Sequence, residues 1–144
     1  MIDLAGIVIL AGGESTRMGS PKALLKLANG ETLLEFHIRH AKNLNVPVMV
    51  ADNGKHFCQD NTVKIINDYI KNDETGKGAG ALSAIAGAIE NLTSQNGYLM
   101  VISCDCLIGA DLVFAKLTPV RDKPHCNSLI LFTMLLPVPA EACF

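Results

Sequence analysis

Residues 10–27 read Leu-Ala-Gly-Gly-Glu-Ser-Thr-Arg-Met-Gly-Ser-Pro-Lys-Ala-Leu-Leu-Lys-Leu, and they carry the most distinctive chemistry of the chain. Small residues, one Arg and one Lys follow the apolar run Ile7-Val8-Ile9-Leu10. A loop of this composition suits the phosphates of a nucleotide. Gly12 and Gly13 lack a Cβ, so their amides can come close to a ligand. Arg17 can fork onto phosphate oxygens, and Lys22 can add a point charge. The spacing matches neither familiar glycine-rich fingerprint, because Pro21 and not a glycine precedes Lys22. Taken singly, each residue is an ordinary loop residue. The whole string after a buried strand is what points to function.

Asp105 stands two residues past the end of a second apolar run, Tyr98 to Ser103. A carboxylate at a strand tip opposite a phosphate loop suits Mg²⁺, which takes one or two carboxylates and completes its shell with phosphate and water. The plainer reading is an Asp that caps the following turn. Asn53 and Asp68 also close apolar runs, and by residue type alone both are turn formers. Gly80 opens a helix whose N-terminal amides can hold a phosphate. His37 and His40 stand at i, i+3, a spacing open to a metal pair. A partly exposed helix face is the simpler expectation, with His37, His40, His56 and His125 as bystanders.

The elements that must position these residues follow from periodicity. Short apolar runs at Ala5–Leu10, Val46–Val50 and Tyr98–Ser103 read as strands, the first and last buried on both faces, and Lys64–Asp68 reads as a further short strand ending in an acid. Thr32 is an N-cap for a helix to about Leu44 that buries Leu33, Leu34, Phe36 and Ala41. A short helix is expected at His56–Asp60. A longer one is expected at Ala81–Leu92 with Leu82, Ile85, Ile89 and Leu92 inward, and another at Asp111–Leu117. This alternation predicts an α/β fold of three αβα layers around a mostly parallel sheet. Such sheets bind ligands beyond the carboxyl ends of their strands. The polar or Gly-rich segments after all four strands would therefore form one site.

At 144 residues, 1–144 is read as a single domain. The net charge of −2 argues against a nucleic-acid surface. The short N-terminal apolar run leads straight into the loop and is no secretory signal. No segment reaches the roughly 18 apolar residues of a membrane span, so a cytoplasmic protein is expected. The five cysteines form no Cys-x-x-Cys pair, and reduced thiols are expected, including Cys104 and Cys106 on either side of Asp105.

The 10–27 string resembles the signature of the MobA-like nucleotidyltransferases. The resemblance covers about residues 5–118 and is strongest to the branch that joins GMP to molybdopterin. It implies a Rossmann-like nucleotidyltransferase fold that binds GTP and Mg²⁺ and transfers GMP to molybdopterin with release of pyrophosphate. It also implies site residues: Leu10, Ala11, Gly12, Gly13, Lys22, Asn53, Asp68, Gly80 and Asp105 at the nucleotide, Asp105 on the metal, and Arg17, Lys22 and Asp105 in catalysis. Molybdoenzymes or other cofactor-biosynthesis proteins are implied partners. The attacking group is a phosphate oxygen already ionised near neutral pH, so no general base is required. Charge neutralisation and in-line alignment are the tasks of the site.

Two segments depart from the family pattern. Gly76-Lys77-Gly78-Ala79-Gly80 stands where the family has Gly-Pro-Leu-Ala-Gly. Residues 124–144 are atypical, with Glu141 as their single charge, three prolines and no recognisable acceptor segment. That tail is expected to be an edge strand or an exposed apolar patch. Other readings therefore stay open: a cytidylyl relative, a sugar-phosphate relative, or a nucleotide-binding remnant without turnover.

Overall fold

The computed structural model describes residues 3–13, 19–67, 69, 80–94, 96–117 and 133–138. Among these residues five strands form one sheet: β1 Leu4–Leu10, β2 Val48–Ala51, β3 Lys64–Ile66, β4 Tyr98–Ser103 and β5 Thr133–Pro137. Their order is β3-β2-β1-β4-β5. The first four run parallel, and β5 pairs antiparallel with β4 in the register Tyr98 to Pro137 and Ile102 to Thr133. The expected edge strand thus forms at Thr133–Pro137, while 118–132 and 139–144 lie outside the described residues.

Among the described residues three α-helices cover the sheet: α1 Leu33–Lys42, α2 Gly80–Glu90 and α3 Ala110–Leu117. One core joins α1 and α3 to the sheet through Ile7, Ile9, Leu34, Ile38, Met100, Ile102 and Val113. The other joins α2 through Val8, Met49, Ile66, Ala84, Ala88 and Leu99. The expected three-layer αβα arrangement is therefore present. β1 and β4 are unbroken apolar runs because side chains on both of their faces are buried.

Thr32 caps α1 as its sequence implies. Its hydroxyl accepts from the Glu35 amide at 3.2 Å, and the Glu35 carboxylate accepts from the Thr32 amide at 2.7 Å. This reciprocal pair satisfies two backbone donors that the helix cannot serve.

Three expectations need correction. Residues 56–60 form no helix: they belong to the irregular connection from β2 to β3. The buried face of α2 is Ser83, Ala84, Gly87 and Ala88; Ile85, Ile89 and Leu92 pack partly buried against the same core as expected, whereas Leu82 is 81% exposed. Close approach decides that face. A Cβ at Gly87 would lie 2.5 Å from the Asn67 carbonyl oxygen, so only small residues fit where the helix meets the β3 end. On α1 the fully buried ring is His37 and not Phe36, which is half-buried. The expectation that His37 lies on a partly exposed helix face is thus overturned.

Candidate active site

The loop leaving β1 is held on both sides by neighbouring strands. The Ala11 amide donates to the Ala51 carbonyl at 2.8 Å, and the Leu10 carbonyl accepts from the Cys104 amide at 3.2 Å. Gly12 then passes close to the end of β2. A Cβ there would come 3.0 Å from the Asn53 Cβ and 3.2 Å from its amide nitrogen, so a side chain could fit only by pushing the two loops apart. Gly13 faces open space.

Pro21 sets the extended backbone that enters a single 3-10 turn, Lys22–Leu24. From that turn the Lys22 ammonium donates to Asp105 Oδ2 at 2.7 Å. The pair joins the β1 loop to the tip of β4, at the β1/β4 crevice where strand order reverses. Ligands of such sheets bind in that crevice. The two side chains are 41% and 36% exposed, so the pair contributes little to stability, roughly 0–1 kcal/mol. Its exposure leaves both charges accessible to a ligand.

Among the residues named from sequence, Leu10, Ala11 and Gly12 line the β1 end, with Asn53 against Gly12 and Lys22 against Asp105. Gly80 heads α2 at φ +74, exposed and without a neighbour that a Cβ would meet. Arg17, Asp68 and residues 76–79 lie outside the described residues.

Two residues at this edge went unassigned in the sequence reading. Asp52 is fully buried, and its carboxylate accepts from the amides of Gly54 and Phe57, each at 3.1 Å. It thereby sets the loop that presents Asn53, whose φ of 54 is one that Asn tolerates. Lys55, from the same loop, donates to the Gly12 carbonyl at 3.4 Å. An Asp just before Asn-Gly at a strand end was the available signal, because Asp side chains accept from amides two residues on. Asp52→Ala would strand two amides at about 1–3 kcal/mol each. A fall in melting temperature of roughly 10 °C is expected in a calorimetric scan, and a change under 2 °C would show that Asp52 does not hold this loop.

Behind Asp105 the chain alternates. Cys104 and Cys106 point into the α1–α3 core, and Asp105 points out. Both thiols are free, as expected. Burial pushes the Cys104 thiol up to about 12, and the Asp105 charge adds to the effect, so the thiol is inert near neutral pH. His40 fastens α1 to α3: its Nδ1 lies 2.8 Å from Asp111 Oδ1, and Asn43 donates to Asp111 Oδ2 at 2.9 Å.

His37 is buried with neither ring nitrogen completing a hydrogen bond. Burial lowers its pKa below the ordinary histidine value, against the opposing pull of the main chain of Cys106 and Cys104. The ring is therefore neutral near pH 7. Unmet buried polar groups of this kind cost about 1–3 kcal/mol each.

A cleft of about 770 Å³ lies elsewhere, along α1 and residues 57–60. Its cations are already matched, Lys42 with Asp60 at 2.5 Å and Arg39 with Glu31 at 2.9 Å. The Lys22–Asp105 crevice is the better candidate for phosphate chemistry.

No group of three or more His, Cys, Asp or Glu that could hold a metal occurs among the described residues. Mg²⁺ does not need one. Asp105 offers a hard, accessible oxygen donor beside a lysine, which suits an ion that arrives with the phosphates of its nucleotide.

The glycines after β1, a lysine and an exposed carboxylate at the carboxyl edge of a parallel sheet form the ligand-binding edge of an α/β domain. The family described as the MobA-like NTP transferase domain matches residues 7–131, and the chain belongs to it. A probable molybdenum cofactor guanylyltransferase of Natranaerobius thermophilus is 28% identical over 125 residues, covering 84% of this chain and 57% of that protein. One of Geobacillus sp. is 31% identical over 108 residues, covering 73% and 51%. The molybdenum cofactor guanylyltransferase of Shewanella baltica is 30% identical over 117 residues, covering 79% and 56%. The chain thus spans about half the length of these relatives. The crystal structure of the 2-C-methyl-D-erythritol 4-phosphate cytidylyltransferase of Francisella tularensis superposes with a TM-score of 0.55 at 15% identity, over 83% of this chain and 53% of that one. That likeness speaks to the fold alone. No helix among the described residues is long and apolar enough to cross a membrane.

Proposed function

We propose that the chain transfers GMP from GTP to the phosphate of molybdopterin and releases pyrophosphate. The carrying observation is the 2.7 Å approach of Lys22 to Asp105 across the β1/β4 crevice. The similarity to named guanylyltransferases supports the choice of donor and acceptor.

In this reading an oxygen of the molybdopterin phosphate attacks the α-phosphorus of GTP. The bond from that phosphorus to the bridging oxygen breaks, and pyrophosphate leaves with the electron pair. Both reactants are anions, so repulsion is the main obstacle, and fixed positive charge lowers it. Lys22 supplies one such charge, and Arg17 is proposed as a second. The amides of Gly12 and Gly13 approach the nucleotide, with Asn53, Asp68 and Gly80 proposed as its further contacts. Asp105 would hold Mg²⁺, which when bound neutralises phosphate charge and orients the leaving group.

The test is calorimetric titration with GTP, CTP, ATP and UTP, with and without Mg²⁺, followed by a pyrophosphate assay with molybdopterin. GTP binding that is selective and strengthened by Mg²⁺, with release dependent on the pterin phosphate, is the expected result. Selective CTP binding would move the assignment to a cytidylyl relative. GTP binding without release would leave a nucleotide-binding domain.

A further inference from the structure

His37 lies beneath the segment that carries Asp105. It belongs to α1, yet the main chain of both Cys104 and Cys106 lies against its ring. These residues flank Asp105 on either side. Their thiols fill the same core as α1, so the segment is pinned inward at two points and Asp105 is its outward crest. The amides of Cys104 and Cys106 are already used, on Leu10 and Ser103 at 3.2 Å and 3.0 Å. What remains for the imidazole is the carbonyl side of the segment, the side whose pull raises its proton affinity. A neutral imidazole has one N–H to give and one lone pair. It can serve one carbonyl at a time. In the observed arrangement neither nitrogen completes a bond, and both are buried. Buried polar groups are normally bonded, so an orphan next to a functional loop calls for an explanation.

We propose that His37 is a positioning residue for Asp105. In the free chain the buried ring supports the segment from beneath, and its N–H is completed by a flanking carbonyl when the segment holds a metal–nucleotide complex. The ring is then a prop that fixes how far the Asp105 carboxylate reaches toward Lys22. The part concerning the metal rests on the proposed nucleotidyl transfer; the part concerning the segment does not. Residues that orient a metal ligand without touching the metal typically affect affinity about 10–100-fold.

The experiment compares the full chain with His37→Leu, which removes both nitrogens, and His37→Gln, which keeps a donor. Amide hydrogen exchange is followed at Cys104 and Cys106, and GTP binding is measured with and without Mg²⁺. For His37→Leu, exchange at both amides is expected to quicken by roughly 10-fold or more while the rest of the sheet is unchanged. The Mg²⁺-dependent gain in GTP affinity is expected to drop about 10-fold, with Mg²⁺-free affinity unchanged. His37→Gln is expected to recover most of both. Unchanged exchange at the two amides overturns the proposal. So does an equal loss of binding with and without Mg²⁺, which is the mark of a general packing role. If His37→Leu does not fold, His37→Phe carries the same comparison. If the unaltered chain shows no Mg²⁺-strengthened GTP binding, the guanylyl reading fails, and the exchange data alone decide the role of His37.

Discussion

Asp105→Ala is expected to lower turnover by at least about 100-fold, the usual scale for losing one electrostatic contact to a reacting phosphoryl or acyl group. The same change is expected to leave the fold intact. Asp105 is exposed, its carboxylate accepts from Lys22 while its amide donates to the Ser103 hydroxyl, and an exposed ion pair adds only roughly 0–1 kcal/mol. The diagnostic readout is binding rather than rate. Without Mg²⁺, GTP affinity is expected to hold or rise slightly, because a negative charge facing the phosphates has gone. With Mg²⁺, the gain seen in the unaltered chain is expected to vanish. Calorimetry on both proteins at matched ionic strength checks this. Turnover that survives the substitution, or a Mg²⁺ gain that persists, would remove Asp105 from the metal.

Much of this site was legible in the sequence because its logic is local. Glycine is selected where two loops approach closely, and Gly12 is the position where a Cβ would crowd Asn53; its approach to a nucleotide belongs to the proposed function. The flanking strands are buried on both faces, so they appear as unbroken apolar runs and place Lys22 and Asp105 at one edge. Thr32 and Glu35 cap a helix with contacts three residues apart, a distance that sequence displays directly.

What stayed hidden depends on contacts distant in the chain. The inward face of α2 is set by its separation from the β3 end. Hydrophobicity favours Leu82 inward, but the carbonyl of Asn67 beside Gly87 admits only the small-residue face. Asp52 looks like a solvated turn residue until the amides of Gly54 and Phe57 are seen closing around it. His37 looks like a polar interruption on an amphipathic helix. Its burial comes from the Cys104–Cys106 segment, nearly seventy residues further along. The connection from β2 to β3 shows the same limit: its side chains admit a short helix, and the carboxylate of Asp52 takes the Gly54 and Phe57 amides instead.

Lys22→Ala separates two meanings of the 2.7 Å pair. If Lys22 serves mainly to hold Asp105, its loss should resemble that of Asp105: the Mg²⁺ gain disappears and Mg²⁺-free binding persists. If Lys22 reaches the phosphates, its loss should weaken GTP binding in both conditions. The second outcome is expected, at about 10–100-fold, because a lysine is a point charge whose partner can change without a geometric match. Its 41% exposed side chain and its site on a single 3-10 turn let the ammonium leave Asp105 for an incoming phosphate. Asp105 would then be open to the metal as the nucleotide enters. On this account the pair is a resting arrangement in which each charge shields the other until the substrate displaces both. A double-mutant cycle gives the check. The coupling of Lys22→Ala with Asp105→Ala should be small in melting temperature and large in Mg²⁺·GTP affinity, since only the ternary site requires both charges. Coupling confined to melting temperature would make the pair a structural tie and return the search for the phosphate cation to Arg17.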